Sequence, residues 1–67
     1  MQATQGAATA EDFARWRNQA KNYTTEQLVS IVRMCRKAAL YQRNINPIRE
    51  GYWDDQACTY ADELRKR

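Results

Sequence analysis

Eight carboxylates, eleven Lys and Arg side chains, two thiols and no imidazole make up the reactive inventory of this 67-residue chain. Paired acid–base catalysis needs two carboxylates in a shared pocket that moves one pKa away from the other. Asp54, Asp55, Asp62 and Glu63 are the clustered acids. Helical spacing throws them mostly away from the nearest apolar stripe, so they read as a solvated acidic face. Ser30 has no histidine to activate it. Serine–lysine chemistry needs a preformed cavity, which a chain of this length can hardly enclose. Two cysteines without histidine cannot complete a four-ligand zinc site within one chain. There is no Gly-rich phosphate loop. The expectation is therefore no catalytic, metal-binding or cofactor-binding residue, no cofactor and no enzyme activity.

The thiols read as structural. Cys35 falls in the middle of an apolar face and behaves as a small core residue. Cys58 lies off the apolar stripe of its own segment, beside no activating cation. The two sit at similar heights on a helical hairpin, so height alone does not forbid a disulfide. The cytoplasm is the expected location, with both thiols reduced. Residues 1–9 show no apolar run of a secretory kind. No stretch approaches the roughly 20 apolar residues that span a bilayer, and no membrane partner is expected.

The basic residues Arg33, Arg36, Lys37 and Arg43 could meet phosphates, because neutralising phosphate drives non-specific nucleic-acid binding. A helix-turn-helix arrangement would make the last helix the recognition helix. That segment carries five acids, and three of its four basic residues lie at the extreme C-terminus. Its carboxylates would face phosphate, and the turn before it lacks the glycine common in the motif. The preferred reading pairs this basic face with acids of the last helix or of a second copy. A nucleic-acid-binding accessory role is kept as the alternative.

The aromatic residues are more informative. Two Trp, four Tyr and one Phe exceed what one small core needs. Trp, Tyr, Met and Arg are enriched where proteins meet proteins. Met34, Tyr41, Ile45 and Tyr52 are the candidate interface residues. Phe13, Trp16, Trp53, Tyr60 and Leu64 are candidates for core or interface.

These side chains must be positioned by helices. Hydrophobic residues make up 43% of the chain and charged residues 28%, with two Gly and one Pro, a globular mixture poor in helix breakers. Residues 1–8 offer little to bury and read as a disordered tail. A single domain is expected over 9–67. Its first helix spans about 10–22, with Thr9 as N-cap and Glu11 and Asp12 in the first turn. Phe13, Trp16, Ala20 and Tyr23 follow on one stripe. The second spans about 25–44. Thr24 and Gln27 fit a capping box, with Tyr23 and Leu28 as its hydrophobic staple. Its apolar face runs Leu28, Ile31, Val32, Cys35, Ala38, Ala39, Gln42 and Ile45. Met34 and Tyr41 widen it to roughly half the circumference at 100° per residue. Val29 and Leu40 lie outside it. A face so broad should touch more than one neighbour.

Pro47, capped by Asn46, opens a third helix over about 47–66. Trp53, Ala57, Tyr60 and Leu64 make a heptad-like seam along it, flanked by Ala61. Arg65, Lys66 and Arg67 suit the negative end of its dipole. Gly51 should weaken it by roughly 1 kcal/mol, as a hinge or a point of close approach. Short connections predict antiparallel neighbours. The fold class is thus all-α, a small bundle of about three helices built on an antiparallel hairpin of the second and third. A core this small supplies only a few kcal/mol, so a homodimer is expected.

The run Thr24-Thr25-Glu26-Gln27-Leu28-Val29-Ser30-Ile31-Val32-Arg33-Met34-Cys35-Arg36-Lys37-Ala38-Ala39-Leu40-Tyr41 resembles the small early proteins of lambdoid phages. These are encoded between the exonuclease and excisionase genes. Asn46-Pro47-Ile48-Arg49-Glu50-Gly51-Tyr52-Trp53 shares the resemblance, which extends from Thr24 to Arg67 and leaves out the N-terminal part. It implies an early, non-structural phage protein made in the bacterial host. Such proteins are associated with tilting infection towards lytic growth and with disturbing the host cell cycle. The resemblance carries no active site with it. It implies a regulator that binds a host or phage protein.

Overall fold

The computed structural model of the chain describes residues 6–67. It contains three helices, α1 (Ala10–Asn22), α2 (Thr25–Gln42) and α3 (Pro47–Arg65), and no strand among the described residues. Each helix begins where a side chain satisfies the free N–H groups of its first turn. At α1, Thr9 Oγ1 accepts from the Asp12 N–H at 3.1 Å and Asp12 Oδ2 accepts from the Thr9 N–H at 3.0 Å. The Thr9 N–H, followed by the Arg15 guanidinium, holds the Asp12 carboxyl below its ordinary pKa. Thr24 and Gln27 form the same reciprocal box at α2, at 3.0 and 2.8 Å. At α3, Asn46 Oδ1 accepts from the Ile48 and Arg49 N–H groups, and Pro47 fills the first helical position.

The second helix stops at Gln42, short of the expected 44. Arg43, Asn44 and Ile45 form a turn instead, with the Ile45 and Asn46 N–H groups bonded to the Gln42 carbonyl. Ile45 therefore lies beyond the helix face to which its spacing assigned it. The turn returns α3 antiparallel to α2: Arg43 meets Glu50 at one end, and Arg67 meets Thr25 at the other.

The core has two parts. Trp16, Ala20, Leu28 and Tyr60 form its large-residue cluster, bordered by Phe13, Tyr23, Ile31, Val32, Tyr52 and Leu64. Full burial of a side chain such as Leu28 stabilises by roughly 1.5–3 kcal/mol. Cys35, Ala39 and Ala57 are also buried, and their small size lets α2 and α3 approach closely. Burial pushes the Cys35 thiol pKa up.

Helix α3, rather than α2, is the central element. It packs against both α2 and α1, whereas α1 and α2 barely touch away from their connection. Its second buried side includes Tyr52, Thr59 and Glu63, a mixture with no apolar period. Thr59 is tolerated there because its hydroxyl donates to the Asp55 carbonyl at 2.9 Å. Tyr60 reaches across to α1 and donates its hydroxyl to Gln19 Oε1 at 3.1 Å. Gly51 lies inside uninterrupted helix with nothing within 4 Å of an added Cβ, so it is neither a hinge nor a close approach.

The tail expected over 1–8 falls partly outside the described residues. Within them, Gly6 to Ala8 lie half-buried against the bundle. Ala8 packs on the core cluster, and the Gly6 carbonyl accepts from Arg49 Nη1 at 2.9 Å. The same guanidinium sits 4.1 Å from the Tyr52 ring centroid. No helix among the described residues is long and apolar enough to cross a membrane.

Candidate interaction surface

The arrangement around α3 decides which residues of α2 stay in water. Leu28, Cys35 and Ala39 face the core and are almost fully buried. The extra width of the apolar face has no neighbour, because α1 packs on α3 and leaves that side of α2 open. Met34 is 67% exposed, Tyr41 71% and Ile45 62%. Met34 and Tyr41 are seven residues apart and so lie almost in line along the helix. Ile45 lies in the turn beyond the end of the helix. Ile31 and Ala38, both half-buried, lie between this line and the core.

A second exposed group occupies another side of α2. Leu40 is 62% exposed and Val29 42% exposed. At 100° per residue they lie roughly a third of a turn from Met34 and Tyr41. Sequence reasoning placed both outside the apolar face but did not count them as candidates. The available signal was their apolar character at positions that no core periodicity could use.

The remaining predicted residues separate. Trp16 and Tyr60 are core, 2% exposed each. Phe13 and Leu64 border that core and are half-buried. Trp53 is half-buried and meets Tyr52 edge-on at 5.3 Å. Tyr52 does not join Met34 and Tyr41. Its ring packs edge-on against Trp16 at 5.3 Å, and Trp16 meets Phe13 in the same way at 5.4 Å. Edge-to-face stacking therefore runs without a break from α1 into α3.

The four cations of the alternative reading are all exposed, but their surroundings differ. Arg43 Nε pairs with Glu50 Oε2 at 3.4 Å. Arg36 borders a shallow cleft whose rim includes Leu40, Glu50 and Asp54. Arg33 and Lys37 make no ion pair with the described residues. The acids of α3 thus stand beside the basic side of α2.

A wider cleft of about 790 Å³ lies between α1 and α3. Its lining mixes Arg17 and Lys21 with Asp55 and Asp62, and it includes exposed Cys58. Both cysteines are free. Among the described residues no group of His, Cys, Asp and Glu could hold a metal ion.

Fold and surface together define a small three-helix all-α domain with an uncovered apolar flank on its second helix. No protein-family model, curated protein or solved structure matches the chain.

Proposed function

We propose that this chain is a non-catalytic regulatory module that acts by binding another protein through the flank of α2 marked by Met34, Tyr41 and Ile45. One observation carries the reading. Three large apolar side chains, Met34 and Tyr41 in line on α2 and Ile45 in the turn after it, remain more than half exposed in a domain with few large apolar residues to spare. Contiguous exposed apolar surface of this kind marks interaction sites. Tyr and Met are also residue types favoured at interfaces.

The resemblance of Thr24–Arg67 to small early proteins of lambdoid phages supports a more specific version. In it, the chain is an early phage product in the host cytoplasm that favours lytic development by binding a host or phage protein. The test is affinity capture from a bacterial lysate, with the wild-type chain beside the double variant Met34→Ser, Tyr41→Ser. Both side chains are exposed, so the variant should keep its helical content. The expected result is a captured protein that the variant loses. Identical capture by both chains, or none by either, defeats the reading.

A further inference from the structure

Helix α2 carries two heptad seams, not one. Leu28, Val32, Cys35, Ala39 and Gln42 recur at alternating spacings of four and three and face α3. Ile31, Met34, Ala38 and Tyr41 recur at spacings of three and four along the adjacent line, and Ile45 follows in the turn. This is the spacing with which one helix packs along another. The first seam is covered by the chain itself. The second is covered only along its inner edge, where Ile31 and Ala38 are half-buried, and Met34 and Tyr41 are the most exposed large hydrophobic residues among the described residues.

Resting on the reading that this flank is an interaction surface, we infer that in the free protein its occupant is the same flank of a second copy, which a protein partner would displace. The two α2 helices run antiparallel across a two-fold axis level with Arg36. An isologous contact requires a patch complementary to itself. The second seam meets that condition in one direction only. About a two-fold at position 36, Ile31 stands level with Tyr41 of the other copy, and Met34 stands level with Ala38. Both of these layers set a larger side chain against a smaller one, which fills space without voids, while Ile45 stands level with Gln27 of the other copy. A parallel pair would set Tyr41 on Tyr41 and Ala38 on Ala38, crowding one layer and leaving another empty. Antiparallel helices also oppose their dipoles. The product is a four-helix arrangement in the order α3, α2, α2, α3, with each α1 outside it.

Area sets the strength. Met34, Tyr41 and Ile45, at roughly 100–150 Å² each, with smaller shares from half-buried Ile31 and Ala38, bury at most on the order of 1,000 Å² over both copies. That is at the lower bound for a specific interface, so the dimer is weak and transient. Charge adds a signature. Lys37 occupies the position flanking the seam, where antiparallel helices bring like positions together. Near the two-fold it meets Lys37 of the other copy, and no acid of the described residues pairs with it. Association must therefore strengthen as salt screens that repulsion.

The test is sedimentation equilibrium of the full chain from about 1 to about 500 µM at low and high salt. The wild type is expected to dimerise, more tightly at high salt. Tyr41→Ser and Met34→Ser are expected to weaken the dimer at least about tenfold with helical content unchanged. The second measurement mixes wild type with Lys37→Glu. The expected result is a heterodimer enriched about threefold or more over the statistical share, because only that pair sets opposite charges across the axis. A wild type that stays monomeric throughout overturns the inference, and so does a dimer that mixes statistically with Lys37→Glu. Either result concerns self-pairing alone. The broader reading of the flank stands or falls on capture of a partner by wild type and not by the double variant.

Discussion

The guanidinium of Arg67 closes onto the carbonyl of Ala20, with Nη2 donating at 3.2 Å. Nη1 donates to Thr25 Oγ1 at 3.2 Å, and Nε points to Glu63 Oε2 at 3.4 Å. The last residue of the chain thus ties the carbonyl end of α1 to the first turn of α2. Local reasoning assigned Arg67 to the dipole of its own helix. The structure gives it a long-range task as well.

Arg67→Ala should therefore lower stability by about 1 kcal/mol, after allowing for the side chain's partial exposure to solvent. In a domain of this size that is a fall in Tm of about 4–8 °C. Arg67→Lys keeps the charge but loses the fork, so it should recover less than half of the loss. Thermal unfolding followed by circular dichroism checks this. A Tm unchanged in Arg67→Ala would show that the corner holds without it.

The two tryptophans should separate sharply. Trp16 is 2% exposed and touches the rings of Phe13 and Tyr52. Trp16→Ala should cost roughly 3–5 kcal/mol, enough to unfold most of the population. Trp53 is half-buried at the edge of the same stack. Trp53→Ala should cost less than about 2 kcal/mol. Urea unfolding of both variants decides the order, and a larger loss at position 53 would contradict this packing.

Helix starts were legible because each is written within four residues. Thr9, Thr24 and Asn46 announce themselves locally, whatever the rest of the chain does. The buried stripes of α1 and α2 were legible because Trp16 with Ala20, and Leu28 with Cys35 and Ala39, keep the helical period. The central place of α3 was not. Its second buried side includes Tyr52, Thr59 and Glu63, and a polar mixture has no apolar period to read. That side is buried by tertiary packing with α1, as are the contacts of Arg49 with Gly6 and of Tyr60 with Gln19. The width of the α2 face was visible in sequence. Which part of it stays uncovered depends on where α1 packs, and nothing local fixes that.

The two glycines should respond in opposite directions. Gly51 is helical, with open space where a Cβ would stand. Gly51→Ala removes unfolded-state freedom at no steric cost and should stabilise by about 1 kcal/mol. Gly6 has φ +93°, and an added Cβ would stand 3.0 Å from Arg49 Cδ. Gly6→Ala should loosen the N-terminal strap and lower Tm slightly, with faster exchange of the amides it covers. Stabilisation by both substitutions would deny the positive φ at Gly6.

The thiols should label at different rates. Cys58 is exposed, whereas Cys35 is 4% exposed with its pKa raised by burial. A raised pKa leaves less thiolate at any pH below it, and thiolate is the reacting form. An aromatic disulfide reagent at pH 8 should modify one thiol promptly and the second only as the protein unfolds. Mass mapping should find the first label on Cys58. Equal prompt labelling of both would mean that the α2–α3 seam opens readily.

Nucleic acid should bind poorly despite four cations on α2. Arg43 is held by Glu50, and Arg36 shares a cleft with Glu50 and Asp54. Any phosphate approaching these two must displace or tolerate a carboxylate. Arg33 and Lys37 remain, and two phosphate contacts give a salt slope of only about −2 on logarithmic axes. Binding so shallow should be invisible in a gel shift at about 150 mM salt and faint at about 20 mM. Glu50→Gln should strengthen it by releasing Arg43, whereas Arg33→Glu should remove what is left. A firm shift at moderate salt that Arg36→Glu abolishes would reverse this assignment and make the basic side of α2 the working surface.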